Sequence, residues 1–213
     1  RREQLYTNEV FSGIPADLTV RSSIHRQTRI LARFNPLTPA PCEPTILTME
    51  CFGKTLSGPF TIPSRIVTSA TPIIQYVFDH MPEVGVVTTK SIGLQPRAGN
   101  REPVYSQYAP GCFVNAVGLT NPGAHASREM LAALKIPKDR FLLTSIFGGS
   151  LEEFVAVAKI LAPVSDGLEL NLSCPHAKGY GMAMGQDPDL VREITAAVKA
   201  VVDIPVIPKL TPN

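Results

Sequence analysis

Gly167-Leu168-Glu169-Leu170-Asn171-Leu172-Ser173-Cys174-Pro175-His176 is the stretch on which the fold turns. Residues 167–172 read as a short, mostly apolar strand, and a hydroxyl, a thiol and an imidazole follow at once. Outward on one side lies a helix, Leu151–Leu161, begun at Ser150 with acids in its first turn. On the other lies a second helix, Pro188–Val202, with Asp187 as N-cap and Pro188 at its first position. Beyond these the pattern repeats. Arg65–Ala70, Val84–Lys90, Phe141–Phe147 and Val206–Leu210 read as strands, Ile73–His80 and about 126–135 as helices, and 92–111 as a turn-rich excursion. Strands that are near-continuously apolar are buried on both faces, as in a parallel sheet flanked by helices. The fold class is therefore α/β, and the pattern fits a barrel or a doubly wound sheet. No G-x-G-x-x-G follows the first strand, which counts against a dinucleotide-binding Rossmann domain.

The 213 residues are 44% apolar and 18% charged, enough for a substantial core, and a net charge of +2 gives no reason to propose nucleic acid as a partner. Four cysteines (Cys42, Cys51, Cys112, Cys174) stand far apart without C-x-x-C spacing, against a zinc site, an iron–sulfur cluster or a disulfide framework. Reduced thiols in a cytoplasmic protein are the expectation. No apolar run reaches the roughly 20 residues needed to span a bilayer. Residues 1–44 form a separate region, a basic arm ending in a linker stiffened by Pro36, Pro39, Pro41 and Pro44. In the arm Val20, Ile24, Leu31 and Phe34 share a thin helical stripe among arginines, expected to pack on the body or on a neighbouring subunit, with docking to a membrane surface or a partner as the alternative. Residues 45–213 form the α/β body, opening with a hairpin that turns at Gly53-Lys54. The chain starts at Arg1-Arg2 and ends at Thr211-Pro212-Asn213, and both ends read as cut.

If the strands belong to a barrel, reactive groups belong at their carboxyl ends. Strand ends carry Thr68-Ser69-Ala70-Thr71-Pro72, Thr88-Thr89-Lys90-Ser91, Asn171 to His176, and Lys209, while Asn115 to Gly123 lies between the second and third strands. Two lysines, several Asn amides and one Cys on a single rim suit a planar, electron-rich heterocycle. Ammonium groups would hold an anionic atom, amides would bond the C=O and N–H edges, and a thiol would move a proton. His176, two residues after Cys174, also leaves open a Cys–His nucleophile pair. His25, His80 and His125 show no ligand-like spacing, no metal site is expected, and Glu50, Asp166 and Glu169 are expected to stabilise the fold or be solvated.

Gln95 to Asn100, Asn115 to Gly123, Asn171 to Pro175, Gly185-Gln186-Asp187-Pro188 and Pro208 to Asn213 together resemble the dihydroorotate dehydrogenase family over about residues 46–213. The likeness is greatest to its cysteine-type class 1 members and to the flavin domain of dihydropyrimidine dehydrogenase. The resemblance implies an FMN-binding (β/α)₈ TIM barrel, of which this chain covers about the first five strands. Its FMN phosphate would sit on glycine loops after strands seven and eight, outside these residues. Ser69, Ala70, Thr71, Lys90, Asn171 and Lys209 would bind the flavin, with Lys209 facing its N1–C2=O side. Lys90, Asn115, Asn171 and His176 would bind a pyrimidine. Cys174 would exchange the C5 proton while hydride passes between C6 and flavin N5, under a lid formed by 177–185. The activity implied is oxidation of dihydroorotate to orotate in pyrimidine biosynthesis. His176 stands where the dihydroorotate enzymes carry Asn, and with Ser69 to Pro72 it resembles the dihydropyrimidine dehydrogenases, which leaves uracil or thymine reduction as the alternative. A non-catalytic barrel subunit is a third reading. An iron–sulfur/FAD electron-transfer subunit and a homo-oligomer are the implied partners.

Overall fold

A computed structural model of the chain describes residues 48–65, 68–173 and 182–211. All of them belong to the unit Ile46–Asn213, and the expected arm over 1–44 lies outside the described residues.

The body opens with the expected hairpin, β1 (Met49–Cys51) and β2 (Lys54–Leu56), antiparallel. Its two-residue turn, Phe52-Gly53, has both φ angles positive (51° and 77°), the conformation whose twist matches that of paired strands. Five parallel strands follow: β3 (Phe60–Ile62), β4 (Val84–Thr88), β7 (Phe141–Ile146), β8 (Gly167–Asn171) and β9 (Val206–Lys209). Their order in the sheet is their order in the chain. A doubly wound sheet reverses that order at a switch point; here it never reverses, so the sheet curls as the first five strands of a (β/α)₈ barrel. Between strands β4 and β7 a second hairpin stands out, β5 (Tyr105–Ala109) with β6 (Cys112–Asn115). It begins within the turn-rich excursion expected over 92–111 and runs past its end. Tyr105 and Phe113 stack across it at 5.2 Å, and both are exposed.

The first parallel strand corrects the sequence reading. It lies at Phe60–Ile62 rather than Arg65–Ala70, pairing Phe60, Thr61 and Ile62 with Val84, Val86 and Val87. Pro63 follows it without an amide donor for the ladder, and Arg65 at φ 83° takes the chain out of extended conformation. Ser64-Arg65 and Thr68-Ser69 are turns. Gly58 lets this edge approach β4: a Cβ there would lie 2.1 Å from the Glu83 carbonyl oxygen.

Four helices cross between the strands: α1 (Thr71–His80), α2 (Ala124–Ala132), α3 (Leu151–Leu161) and α5 (Pro188–Lys199), with a single-turn α4 (Met182–Gly185) before the last. The caps read from sequence are present. The Ser150 hydroxyl accepts from Glu153 N at 3.3 Å, and Asp187 Oδ1 accepts from Asp189 N and Leu190 N; each such cap contributes about 1 kcal/mol.

Side chains alternate across a strand, and the two faces of the sheet have different partners. Leu142, Ile146, Leu168 and Leu170 point to the helices and pack with Ile74, Phe78, Phe154, Val157, Leu161, Ile194 and Val198. Phe141 and Leu143 point to the other face, where they meet Leu56 of the first hairpin, with Val86 and Ile207 alongside. The hairpin thus closes the amino-terminal floor of the curled sheet. Lys54 pairs with Asp166 at 3.0 Å, and Asp166 also accepts from Leu142 N at 2.8 Å, fastening hairpin to sheet. That bears out Asp166 as a fold-stabilising carboxylate.

Candidate active site

Two residues further along the same strand faces, the apolar floor gives way to polar groups. Leu143 is followed by Ser145, Gly167 by Glu169 and Asn171, and Ile207 by Lys209, at the carboxyl end of each strand. These side chains join into one chain. Lys209 Nζ donates to Glu169 Oε1 at 2.7 Å, and Ser145 Oγ donates to the same oxygen at 2.7 Å. Ser145 Oγ lies 2.9 Å from Ser91 Oγ, which accepts from Asn171 Nδ2 at 2.7 Å. Asn171 Oδ1 accepts from both the amide and the hydroxyl of Ser173. Thr89 Oγ1 accepts from Ser145 N at 3.0 Å, tying the second strand end to the third.

Above this chain opens a cavity of about 160 Å³, walled by Arg65, Lys90, Ser91, Gly118, Asn171, Ser173 and Lys209, among others. Lys90 is half-buried, its amide held by the Thr68 carbonyl at 3.1 Å. Burial, and then the nearby Arg65 guanidinium, hold its ammonium below the ordinary lysine value. No carboxylate pairs with it among the described residues. A desolvated ammonium without a counterion is costly, and an anion in the cavity would relieve that cost.

A second, smaller cavity of about 50 Å³ lies on the other side of Lys90, lined by Thr68, Ser69, Thr71, Thr89 and Asn121. Its loop is stapled by Asn121, whose Oδ1 accepts from Gly93 N and Gly123 N while its Nδ2 donates to the Leu119 carbonyl. Gly118, at φ 77°, carries the loop past Asn100: a Cβ there would meet Asn100 Oδ1 at 2.5 Å.

Of the residues singled out from sequence, Lys90, Asn171 and Lys209 share the larger cavity, and Ser69 and Thr71 share the smaller one with Lys90. Ala70 stands at the start of α1, its carbonyl accepting from Ile73 N and Ile74 N. Asn115 lies on the exposed strand β6 and does not wall the cavity; its Oδ1 accepts from Arg65 at 2.5 Å, and Arg65 does. Cys174 and His176 lie outside the described residues, and the residue before them, Ser173, stands on the cavity wall. Sequence reasoning passed over Arg65 and Ser145, named Ser91 at a strand end without giving it a role, and left Glu169 as fold-stabilising or solvated. Glu169 is 7% exposed and ion-paired within the site. The signal was available: Glu169 and Asn171 interrupt an apolar strand two residues apart, so they share one face. Among the described residues no cluster of His, Cys, Asp or Glu could hold a metal, and no helix is long and apolar enough to cross a membrane.

Sequential parallel strands, outer helices and a cation- and amide-bearing rim at the strand ends define a β/α-barrel with its ligand site at the carboxyl-terminal mouth. Residues 46–213 match the family model described as dihydroorotate dehydrogenase, and the chain belongs to that family. It is 43% identical over 171 residues to the dihydroorotate dehydrogenase B (NAD(+)) catalytic subunit of Pyrococcus abyssi, covering 79% of this chain and 54% of that protein. It is 48% identical over 139 residues to the protein of the same name from Thermococcus kodakarensis, covering 65% and 45% respectively. A crystal structure of the Eimeria tenella dihydroorotate dehydrogenase with ferulenol superposes with a TM-score of 0.62 at 20% identity, covering 84% of this chain and 50% of that one, which speaks to the fold. The chain spans about half the length of the curated relatives it matches.

Proposed function

We propose that the protein carrying this chain is an FMN-dependent oxidoreductase that oxidises dihydroorotate to orotate, a step of pyrimidine biosynthesis, with Cys174 as general base. The observation that carries this reading is Lys90: a half-buried ammonium without a carboxylate partner among the described residues, lining a cavity that Asn171 also lines. A planar heterocycle bearing a carboxylate meets both. Relatives named dihydroorotate dehydrogenase B support the choice of substrate.

The donor set fits a flavin. Lys90, Ser91, Asn171 and Lys209 present ammonium, hydroxyl and amide donors to one cavity, and Ser69 and Thr71 offer hydroxyls in the next. We assign Ser69, Ala70, Thr71, Lys90, Asn171 and Lys209 to holding the flavin, and Lys90, Asn115, Asn171 and His176 to the pyrimidine. FMN, when bound, supplies the acceptor for the C6 hydride. Cys174, as thiolate, takes the C5 proton. Lys90 neutralises the substrate carboxylate, and Lys209, anchored by Glu169, supplies positive charge where electron density accumulates. A free thiol titrates near about 8.5, so turnover rises with pH through the neutral range. Electrons would leave through a partner subunit carrying iron–sulfur and FAD groups, in a cytoplasmic homo-oligomeric assembly; the relatives' designation as a catalytic subunit supports a partner.

His176 and the run Ser69-Ala70-Thr71-Pro72 favour a second reading, reduction of uracil or thymine with Cys174 as general acid. Anaerobic titration of the purified full-length protein separates the two. Bleaching of the flavin absorbance by dihydroorotate but not by dihydrouracil supports the first reading. Bleaching by dihydrouracil alone overturns it in favour of the second, and absence of flavin overturns both.

A further inference from the structure

The polar chain beneath the cavity has a direction, and Glu169 sets it. A carboxylate only accepts hydrogen bonds, so the single hydroxyl proton of Ser145 is committed to Glu169 Oε1. The 2.9 Å contact between Ser91 Oγ and Ser145 Oγ must then run from Ser91 to Ser145. With its own proton spent, Ser91 can only accept from Asn171. That places Nδ2, not Oδ1, against it at 2.7 Å. The far side agrees, because Asn171 Oδ1 receives both the Ser173 amide at 3.2 Å and the Ser173 hydroxyl at 3.0 Å. An asparagine amide has two nearly isosteric orientations, told apart only by its partners; here the chain from Glu169 on one side and the Ser173 N–H on the other select the same one.

We propose that Glu169 is a positioning residue that acts through Ser145 and Ser91 to hold the Asn171 amide in one orientation. In that orientation both lone pairs of Oδ1 are occupied and one Nδ2–H faces the cavity. Asn171 therefore reads a ligand carbonyl oxygen and rejects an N–H at the same place. Only the identification of that ligand as a pyrimidine rests on the function proposed above. Glu169→Gln replaces an obligate acceptor by a group that can also donate, so the Glu169 end no longer dictates the direction of the chain and the amide is held by Ser173 alone. Ser145→Ala interrupts the chain while leaving the Glu169–Lys209 pair intact.

The test uses purified full-length protein carrying ¹⁵N-labelled asparagine, with the Asn171 side-chain amide assigned by its loss in Asn171→Asp. In the wild type one Nδ2 proton should be protected from solvent exchange, and protection should fall by about tenfold or more in Glu169→Gln and Ser145→Ala, one buried hydrogen bond's worth. Orotate binding by calorimetry should weaken by about tenfold in both variants, but neither substitution should matter in an Asn171→Ala background. Unchanged protection in both variants, or an affinity loss that persists undiminished in Asn171→Ala, overturns the proposal. If the exchange results hold but the wild type binds no orotate, the functional reading falls and the role of Glu169 stands.

Discussion

Replacing Lys209 by Met should destabilise the protein through the carboxylate it leaves behind. The ammonium lies 2.7 Å from Glu169 Oε1, with side-chain exposures of 35% for the lysine and 9% for the glutamate. At that separation and an effective dielectric of about 20, the attraction is about 6 kcal/mol, much of it offset by the desolvation already incurred. Removing one partner of a buried pair costs about 3–5 kcal/mol. Here the lysine end is partly solvated and Ser145 still donates to the carboxylate, so the lower end applies. We expect a loss of about 2–3 kcal/mol, or about 5–10 °C in Tm for a domain of this size. Adding Glu169→Gln should recover about 1–2 kcal/mol, because a buried neutral amide needs no counterion. Urea unfolding followed by circular dichroism measures both, with midpoints compared at constant m. A single variant within about 0.5 kcal/mol of wild type, or a double variant whose losses simply add, would refute the buried-pair account.

Lys90→Met should do the opposite to stability, raising it by about 1 kcal/mol while weakening orotate binding about 100-fold, a trade between a charged site and a stable fold. Calorimetry and urea unfolding read the two effects. Because the folded-state pKa of Lys90 lies below 10.5, the unfolded chain binds more protons in that interval. Stability attributable to Lys90 is thus lowest below the folded value and recovers as pH rises through it toward 10.5. Over the same rise orotate affinity should fall, and both trends should vanish in Lys90→Met. Cys174→Ala should retain flavin but slow its reduction by dihydroorotate by about 100- to 10,000-fold in stopped flow; full-rate reduction would remove Cys174 from the mechanism. Leu56→Ala should cost about 2–4 kcal/mol in urea unfolding by opening a void over Phe141 and Leu143, and an unchanged midpoint would show that the hairpin does not seal the floor.

Much of this architecture was legible because it is local. Ser150 and Asp187 announce their helices by side-chain chemistry acting within three residues. The apolar runs at Phe141 and Gly167 announce strands covered on both faces. Where the reading slipped, the deciding contact was distant. The run at 65–70 has good β-formers, yet the strand forms at Phe60–Ile62, where Val84 to Val87 offer a partner and Pro63 ends the ladder. Distance also hides how Asn115 is tied to the site: it bonds Arg65 of the cavity wall from an exposed hairpin, and nothing within its own motif encodes that pairing.

By itself, then, the chain's order of residues determined the alternation of strand and helix, their caps, the apolar floor and the polar tips of the strands, since each follows from spacing along one segment. Tertiary structure decided the rest: that the sheet curls without reversing, that Ser91, Ser145, Glu169 and Lys209 close into one hydrogen-bonded chain, and that Lys90 has no carboxylate partner among the described residues. Those outcomes depend on strand register between segments up to 80 residues apart, and register is set by packing across the whole sheet rather than by any one segment's sequence.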